Sequence, residues 1–332
     1  MRVEELTTPA LLVDADAFDH NLRTMSAALP GPRLRPHVKA HKCTRLAALQ
    51  AGLGHRTFTC ATVREVVGMA EAGLGEDLLL ANEVVDRRAL ARLGRLDARV
   101  TVAVDSVATI EAAAAGGIRE VLVDVNVGLP RCGCAVEDAG MLAELAQTGG
   151  LRVRGVMGYE GHAVGLPDRA MRAETTRAAM EVLARAHREV GGEVVSAGGT
   201  GTYDLNTLAT EIQAGSYALM DIAYAGLDIP FRQALTVLAT VISVSANGYA
   251  VADCGLKALG MDHGNPALAS GEDVYLVSDE HVTFGTGTPV AVGDRVRVLP
   301  AHVDPTVAYH ERMHLVRDGE VLETWAVDLR GW

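Results

Sequence analysis

Eight short runs rich in branched aliphatic residues, most of them followed by a stretch of helical periodicity, succeed one another over the first two thirds of the chain. The runs fall at 34–38, 57–60, 77–80, 99–104, 121–125, 153–157, 193–196 and 211–214. Helical patterns lie between them at 41–50, 63–72, 85–93, 107–115, 137–147 and 168–190, and an earlier helix is expected at 16–28. Near-continuous apolar runs are the mark of parallel strands buried on both faces. Eight strand-helix units in a row predict an α/β fold built on a (β/α)8 TIM barrel. The alternative is a doubly wound open sheet, but no dinucleotide-binding fingerprint follows the first strand.

After about residue 235 the helical patterns stop. Runs at 235–245, 249–252, 273–277, 295–299, 314–317 and 321–326 are separated by turns, and Asn247-Gly248 and Asp318-Gly319 are hairpin signals. The chain therefore divides into a barrel over 1–234 and an all-β domain over 235–332, which the first residues are free to join as an extra strand. Composition agrees: 49% of the 332 residues are hydrophobic but only 4% are aromatic, as in helices packed on aliphatic strands.

The net charge of -12 argues against nucleic acid, whose phosphates require clustered Lys and Arg. Five scattered cysteines (Cys43, Cys60, Cys132, Cys134 and Cys254) give neither a disulfide framework nor a zinc knuckle. No signal-peptide pattern opens the chain and no stretch of about 18 apolar residues exists, so a cytoplasmic protein without a membrane partner is expected.

In such barrels chemistry sits at the C-terminal ends of the strands. Lys39 follows the first run, Asn126-Val-Gly-Leu-Pro-Arg131 the fifth and Tyr159-Glu-Gly-His162 the sixth. Gly198-Gly199-Thr200-Gly-Thr202 follows the seventh and Gly215-Ser216-Tyr217 the eighth. The last two are the expected phosphate cradle, because glycine lets backbone N–H groups approach an anion and hydroxyls add donors. A lysine facing that cradle from the opposite side of the barrel is placed to form a Schiff base with pyridoxal 5'-phosphate (PLP). The cationic neighbours His37, His41 and Lys42 are expected to lower its pKa. Arg131, a donor that keeps its proton, is a candidate partner for the cofactor's phenolate oxygen.

Taken together, Thr8-Pro-Ala-Leu-Leu-Val-Asp14, His37-Val-Lys-Ala-His-Lys42, Val127-Gly-Leu-Pro-Arg-Cys-Gly133, Gly198-Gly-Thr-Gly-Thr202, Gln213-Ala-Gly-Ser-Tyr217 and Pro300-Ala-His-Val-Asp-Pro-Thr306 resemble the D-threonine aldolase/D-serine dehydratase family. These are fold-type III PLP enzymes related to alanine racemase, and the motifs run in the family's order over nearly the whole chain. The resemblance implies PLP on Lys39, Tyr159 beside the pyridine ring, Tyr217 near the phosphate, and a divalent metal on His302 and Asp304. Read without the family, His302-x-Asp304 is a pair on one face of an extended segment. By the resemblance, D-serine dehydratases carry a cysteine with zinc at the position of Asp304, whereas the D-threonine aldolases and 3-hydroxyaspartate dehydratases carry an aspartate. Asp304, a hard oxygen ligand, favours Mn²⁺ or Mg²⁺ over Zn²⁺.

The implied activity is that of a lyase acting on a small D-β-hydroxy amino acid, the protein being a homodimer. In an aldolase a base, His162 or a water held by the metal, takes the β-hydroxyl proton, and glycine and an aldehyde result. In a dehydratase of D-serine or D-threo-3-hydroxyaspartate, Lys39 takes the Cα proton instead, giving a keto acid and ammonia. A racemase with Tyr249 or Tyr309 as second base, and a non-catalytic PLP carrier, are the remaining alternatives. The nearest histidine past Tyr159 is His162, closer in sequence than the corresponding histidine of the aldolases.

Overall fold

The computed structural model describes residues 1–287 and 289–332. Seven parallel strands follow one another in sequence order around a curled sheet: Thr57–Cys60, Asp77–Leu80, Val100–Val104, Glu120–Asp124, Arg152–Met157, Val194–Ala197 and Glu211–Ile212. Helices Val63–Glu71, Arg87–Leu93, Val107–Ala115, Ala139–Thr148 and Arg169–Val190 alternate with the first six of them and cover the sheet's outer face. Capping side chains start all but Ala139–Thr148: Thr62, Asp86, Ser106 and Asp168 each accept a hydrogen bond from an amide of the first turn.

The expected strand over 34–38 is irregular, yet it closes the ring. Leu34 bridges Ile212 on one side and His37 bridges Thr59 on the other, both in parallel sense. Arg35 N donates to Ile212 O, and Thr59 N to Pro36 O, each at 2.9 Å. Pro36 has no N–H to return, so no regular ladder forms. The chain then tightens into a 3₁₀ turn, Val38–Ala40, that carries Lys39. The eighth strand is shorter than expected, two residues instead of four.

At the N-terminal end of the barrel, charges replace apolar packing. Arg35 Nε donates to Glu211 Oε1 at 2.7 Å, its Nη1 meets Asp77 Oδ1 at 3.1 Å, and Arg154 Nη2 reaches Asp77 Oδ2 at 3.0 Å. All four side chains are buried. Above this floor Leu79, Ala103, Leu122, Met157 and Val194 pack as a separate apolar layer.

The second sheet is mixed and is built from both chain ends. Ala10–Asp14 runs antiparallel to Leu235–Ser245 and parallel to Arg312–Arg317. The Asp318-Gly319 turn has both residues at positive φ (50° and 74°) and joins Arg312–Arg317 to Glu320–Ala326, as the hairpin signal predicts. Two short strands, Ala267–Leu268 and Val282–Gly285, were not expected from the sequence.

Neither was the helix Val303–Tyr309. The reading of His302 and Asp304 as neighbours on one face of an extended segment is therefore corrected: His302 is the extended residue just before the helix, and Asp304 lies in its first turn. Pro305 is compatible with this because the amides of a first turn have no intrahelical partner to lose. Among the described residues no helix is long and apolar enough to cross a membrane.

Candidate active site

Lys39 stands at the mouth of the barrel, on the wall of a cavity of about 200 Å³. His37, Arg131, Tyr159, Gly198, Gly199, Thr200, Gln213, Gly215, Ser216 and Tyr224 complete much of the lining. Of the residues expected to form the site, Lys39, Arg131, Tyr159, Gly199, Thr200, Gly215 and Ser216 thus come together. Ring closure puts the eighth-strand loop directly beside Lys39 and not across the barrel from it. A Cβ on Gly215 would lie 2.5 Å from the carbonyl oxygen of His37, so only glycine permits this approach.

Two expected residues lie elsewhere. Tyr217 is fully buried; its hydroxyl accepts from Gln50 Nε2 at 2.9 Å and its ring packs on Phe231. Only its backbone touches the cradle, through Tyr217 N donating to Thr200 Oγ1 at 3.0 Å. His162 is exposed, packs on Gly128 in the loop that bears Arg131, and does not line the cavity.

The glycine-rich loop is braced from below by Glu160, which is fully buried. Gly198 N, Thr202 Oγ1 and Asn206 Nδ2 donate to its carboxylate at 3.1, 2.9 and 3.2 Å. Gly199 N donates to Thr202 Oγ1 at 3.2 Å. The first two amides of the loop are therefore committed internally, and the polar wall beyond them consists of Thr200, Gln213, Ser216 and Tyr224. Tyr224 carried no sequence signal; it comes from a single helical turn, Ile222–Ala225, capped by Asp221.

The surroundings of Lys39 differ from expectation. Burial pushes its pKa down, but the negative charge of Asp304 outweighs this and holds the ammonium above its ordinary value. Lys39 Nζ and Asp304 Oδ2 form an ion pair. The cations thought to depress it are neutralised or turned away. Burial and the charge of Lys39 hold His37 well below the usual imidazole value, burial pushes His41 down to about 4, and Lys42 pairs with the buried Glu65. Burial also raises the pKa of the Tyr159 phenol, although Lys39 opposes this, so it stays protonated at neutral pH. The Arg131 guanidinium lies 5.2 Å from the centroid of the Tyr159 ring.

Asp304 is the meeting point of the two halves. Burial pushes its carboxyl up, but the charge and hydrogen bond of Lys39 outweigh this and keep its pKa below the carboxylate range, and its Oδ1 is buried without a hydrogen-bond partner. The helix bearing it is tied to the cradle by Asp221. That carboxylate accepts from Val303 N at 2.8 Å and from Tyr224 N at 3.1 Å. An amine able to attack an aldehyde, a wall of hydroxyls beside it, and an unpaired carboxylate oxygen next to an imidazole fit PLP and a hard divalent cation respectively.

A barrel with this lysine at its mouth, completed by a β domain, defines the alanine racemase-like class. Residues 13–222 match the family described as alanine racemase, N-terminal domain, and residues 234–316 the putative serine dehydratase domain. The chain belongs to the D-threonine aldolase/D-serine dehydratase family of PLP enzymes. A D-threonine aldolase of an Arthrobacter species is 36% identical, with 98% of this chain and 93% of that protein aligned. The crystal structure of D-threonine aldolase from Filomicrobium marinum superposes with a TM-score of 0.93 at 36% identity, covering 98% of this chain and 96% of that one. D-threo-3-hydroxyaspartate dehydratase from Delftia sp. HT23 superposes with a TM-score of 0.87 at 30% identity, covering 100% of both chains.

Proposed function

We propose that this protein is a PLP- and divalent-metal-dependent lyase that splits D-β-hydroxy amino acids into glycine and an aldehyde, as D-threonine aldolases do. The observation that carries this reading is the approach of Asp304, with its buried unpaired oxygen, to Lys39 at the barrel mouth. PLP would supply an electron sink for the bond broken at Cα, and a cation on His302 and Asp304 would supply Lewis acidity to the β-hydroxyl.

The chain's own groups do the rest. Lys39 is the attachment point and, released, a base or acid for a proton at Cα. Thr200, Ser216 and the backbone of Gly215 would hold the phosphate end, and Tyr159 with Arg131 would hold the ring end. Tyr159, a neutral phenol, brings no charge to the ring it faces. His162 stands outside the cavity lining, so a water beside His302 and Asp304 is the proposed acceptor of the β-hydroxyl proton. Loss of that proton would let Cβ become the carbonyl carbon as the Cα–Cβ bond breaks, and a proton returned to Cα by Lys39 would complete glycine.

Asp304 in place of a cysteine supports the aldolase branch, and a hard oxygen donor supports Mn²⁺ or Mg²⁺. The whole-length likeness to the Delftia dehydratase supports a second reading, in which Lys39 takes the Cα proton and the β-hydroxyl departs. Incubation with D-threonine, D-serine and D-threo-3-hydroxyaspartate, with Mn²⁺ and after EDTA, separates the two. Glycine plus aldehyde identifies the aldolase; keto acid plus ammonia identifies the dehydratase. Full activity in EDTA would remove the metal from either scheme, and a Lys39→Ala variant that kept its yellow cofactor absorbance and its turnover would remove Lys39.

A further inference from the structure

His302 is gripped by two residues that lie outside the site described so far. Its Nδ1 is 2.9 and 2.8 Å from the two carboxylate oxygens of Asp262, in the loop after Gly260. The imidazole of His263 stacks on it, with 3.8 Å between ring centroids and 10° between planes. An ionised carboxylate has acceptors only, so Nδ1 carries the hydrogen and the ring's lone pair is left on Nε2.

A direct three-ligand site is the competing arrangement, since ligand atoms of Asp262, His263 and His302 all lie within 4.8 Å of one another. The short contacts speak against it. Two ligands each about 2.1 Å from one ion stand roughly 3.0 Å apart at a right angle and farther apart in a tetrahedron. The spacings of 2.8 and 2.9 Å are those of a hydrogen bond. Asp304, by contrast, keeps a buried oxygen without a partner, in the first turn of the helix that follows His302.

We propose that Asp262 is a positioning residue for the metal site. It fixes His302 as the Nδ1–H tautomer and presents Nε2 to a divalent cation shared with Asp304, while His263 restrains the ring from its flat side. The proposal rests on the reading of His302 and Asp304 as metal ligands. A carboxylate in this outer position typically strengthens metal binding by about 10–100-fold.

The test is Mn²⁺ affinity of the PLP-loaded enzyme, read from the electron paramagnetic resonance of free Mn²⁺, for wild type, Asp262→Ala, Asp262→Asn and His302→Ala. Unchanged cofactor absorbance verifies that each variant is folded. Asp262→Ala is expected to weaken binding about 10–100-fold. Asp262→Asn, which keeps an oxygen acceptor for Nδ1–H, is expected to recover much of that loss. Wild-type affinity in Asp262→Ala beside lost affinity in His302→Ala overturns the role of Asp262 and leaves the metal site standing. An asparagine variant no better than the alanine one also overturns it, because the carboxylate's charge would then itself be ligating. Wild-type affinity in His302→Ala removes the metal reading and the proposal with it.

Discussion

Lys39, on the turn after the first barrel strand, and Asp304, 265 residues further on in the β domain, are each other's counter-ion. In the proposed function either group has a second duty: the amine would hold the cofactor and the carboxylate the cation. Attachment of PLP to Nζ would take the ammonium away from Asp304 and free the oxygen it now pairs. Loading with PLP is therefore expected to tighten Mn²⁺ binding, and Mn²⁺ to tighten PLP binding by the same factor, about 5–150-fold for an ordinary coupling. Calorimetric titration of apo and PLP-loaded protein checks this, and equal Mn²⁺ affinities would refute it.

The same pair sets a pH window for the apoprotein. The folded pKa of Asp304 is depressed, so its contribution is present above the ordinary carboxylate value of about 3.9 and is lost as pH falls through the lower folded value. Lys39 is raised, so its contribution is present below about 10.4 and is lost as pH rises through the higher folded value. Asp304→Asn apoprotein should melt below wild type by a constant margin between these limits, and the two should converge in acid. A margin that grew on acidification would contradict the assignment.

Arg35 offers a stability test away from the chemistry. Its guanidinium is buried between Asp77 and Glu211, and Arg154 also serves Asp77. Arg35→Ala leaves two buried carboxylates short of a partner, which should cost about 3–5 kcal/mol. Denaturant melts measure this directly. A loss below about 1 kcal/mol would place the network among weak surface pairs.

Gly215→Ala tests the close approach of the eighth-strand loop to Lys39. The added Cβ meets the His37 carbonyl and side chain at 2.5 and 3.2 Å, so the loop or the lysine turn must shift. Overpacking of this kind costs about 1–3 kcal/mol, which corresponds to a roughly 5–150-fold weaker hold on PLP. Equilibrium dialysis of the cofactor reports it, and unchanged affinity would mean that the cradle is looser than drawn here.

The barrel was legible because its strands are buried on both sides and leave an uninterrupted aliphatic signature at 77–80 and 100–104. The hairpin at Asp318-Gly319 was legible because few residue pairs accept two positive φ angles. Elsewhere local sequence carried the wrong message. Val-Asp-Pro-Thr after His302 reads as extended chain or turn, yet proline is harmless in a helix's first turn, so Val303–Tyr309 went unseen. The basic run around Lys39 suggested a depressed pKa, and nothing nearby in sequence announces that Asp304 lies against it. Tyr224 and Asp262 sit in ordinary loop sequence; only the folding of distant segments brings one to the cavity and the other to His302.

The strand Ala10–Asp14 lies between Leu235–Ser245 and Arg312–Arg317. On the ribosome it emerges about 300 residues before Arg312–Arg317 and must wait for that strand before this part of its sheet can form. Lys39 likewise leaves the exit tunnel long before Asp304. A nascent chain therefore carries this amine without the carboxylate that will pair with it, and the two meet only once the segment bearing Asp304 has been made.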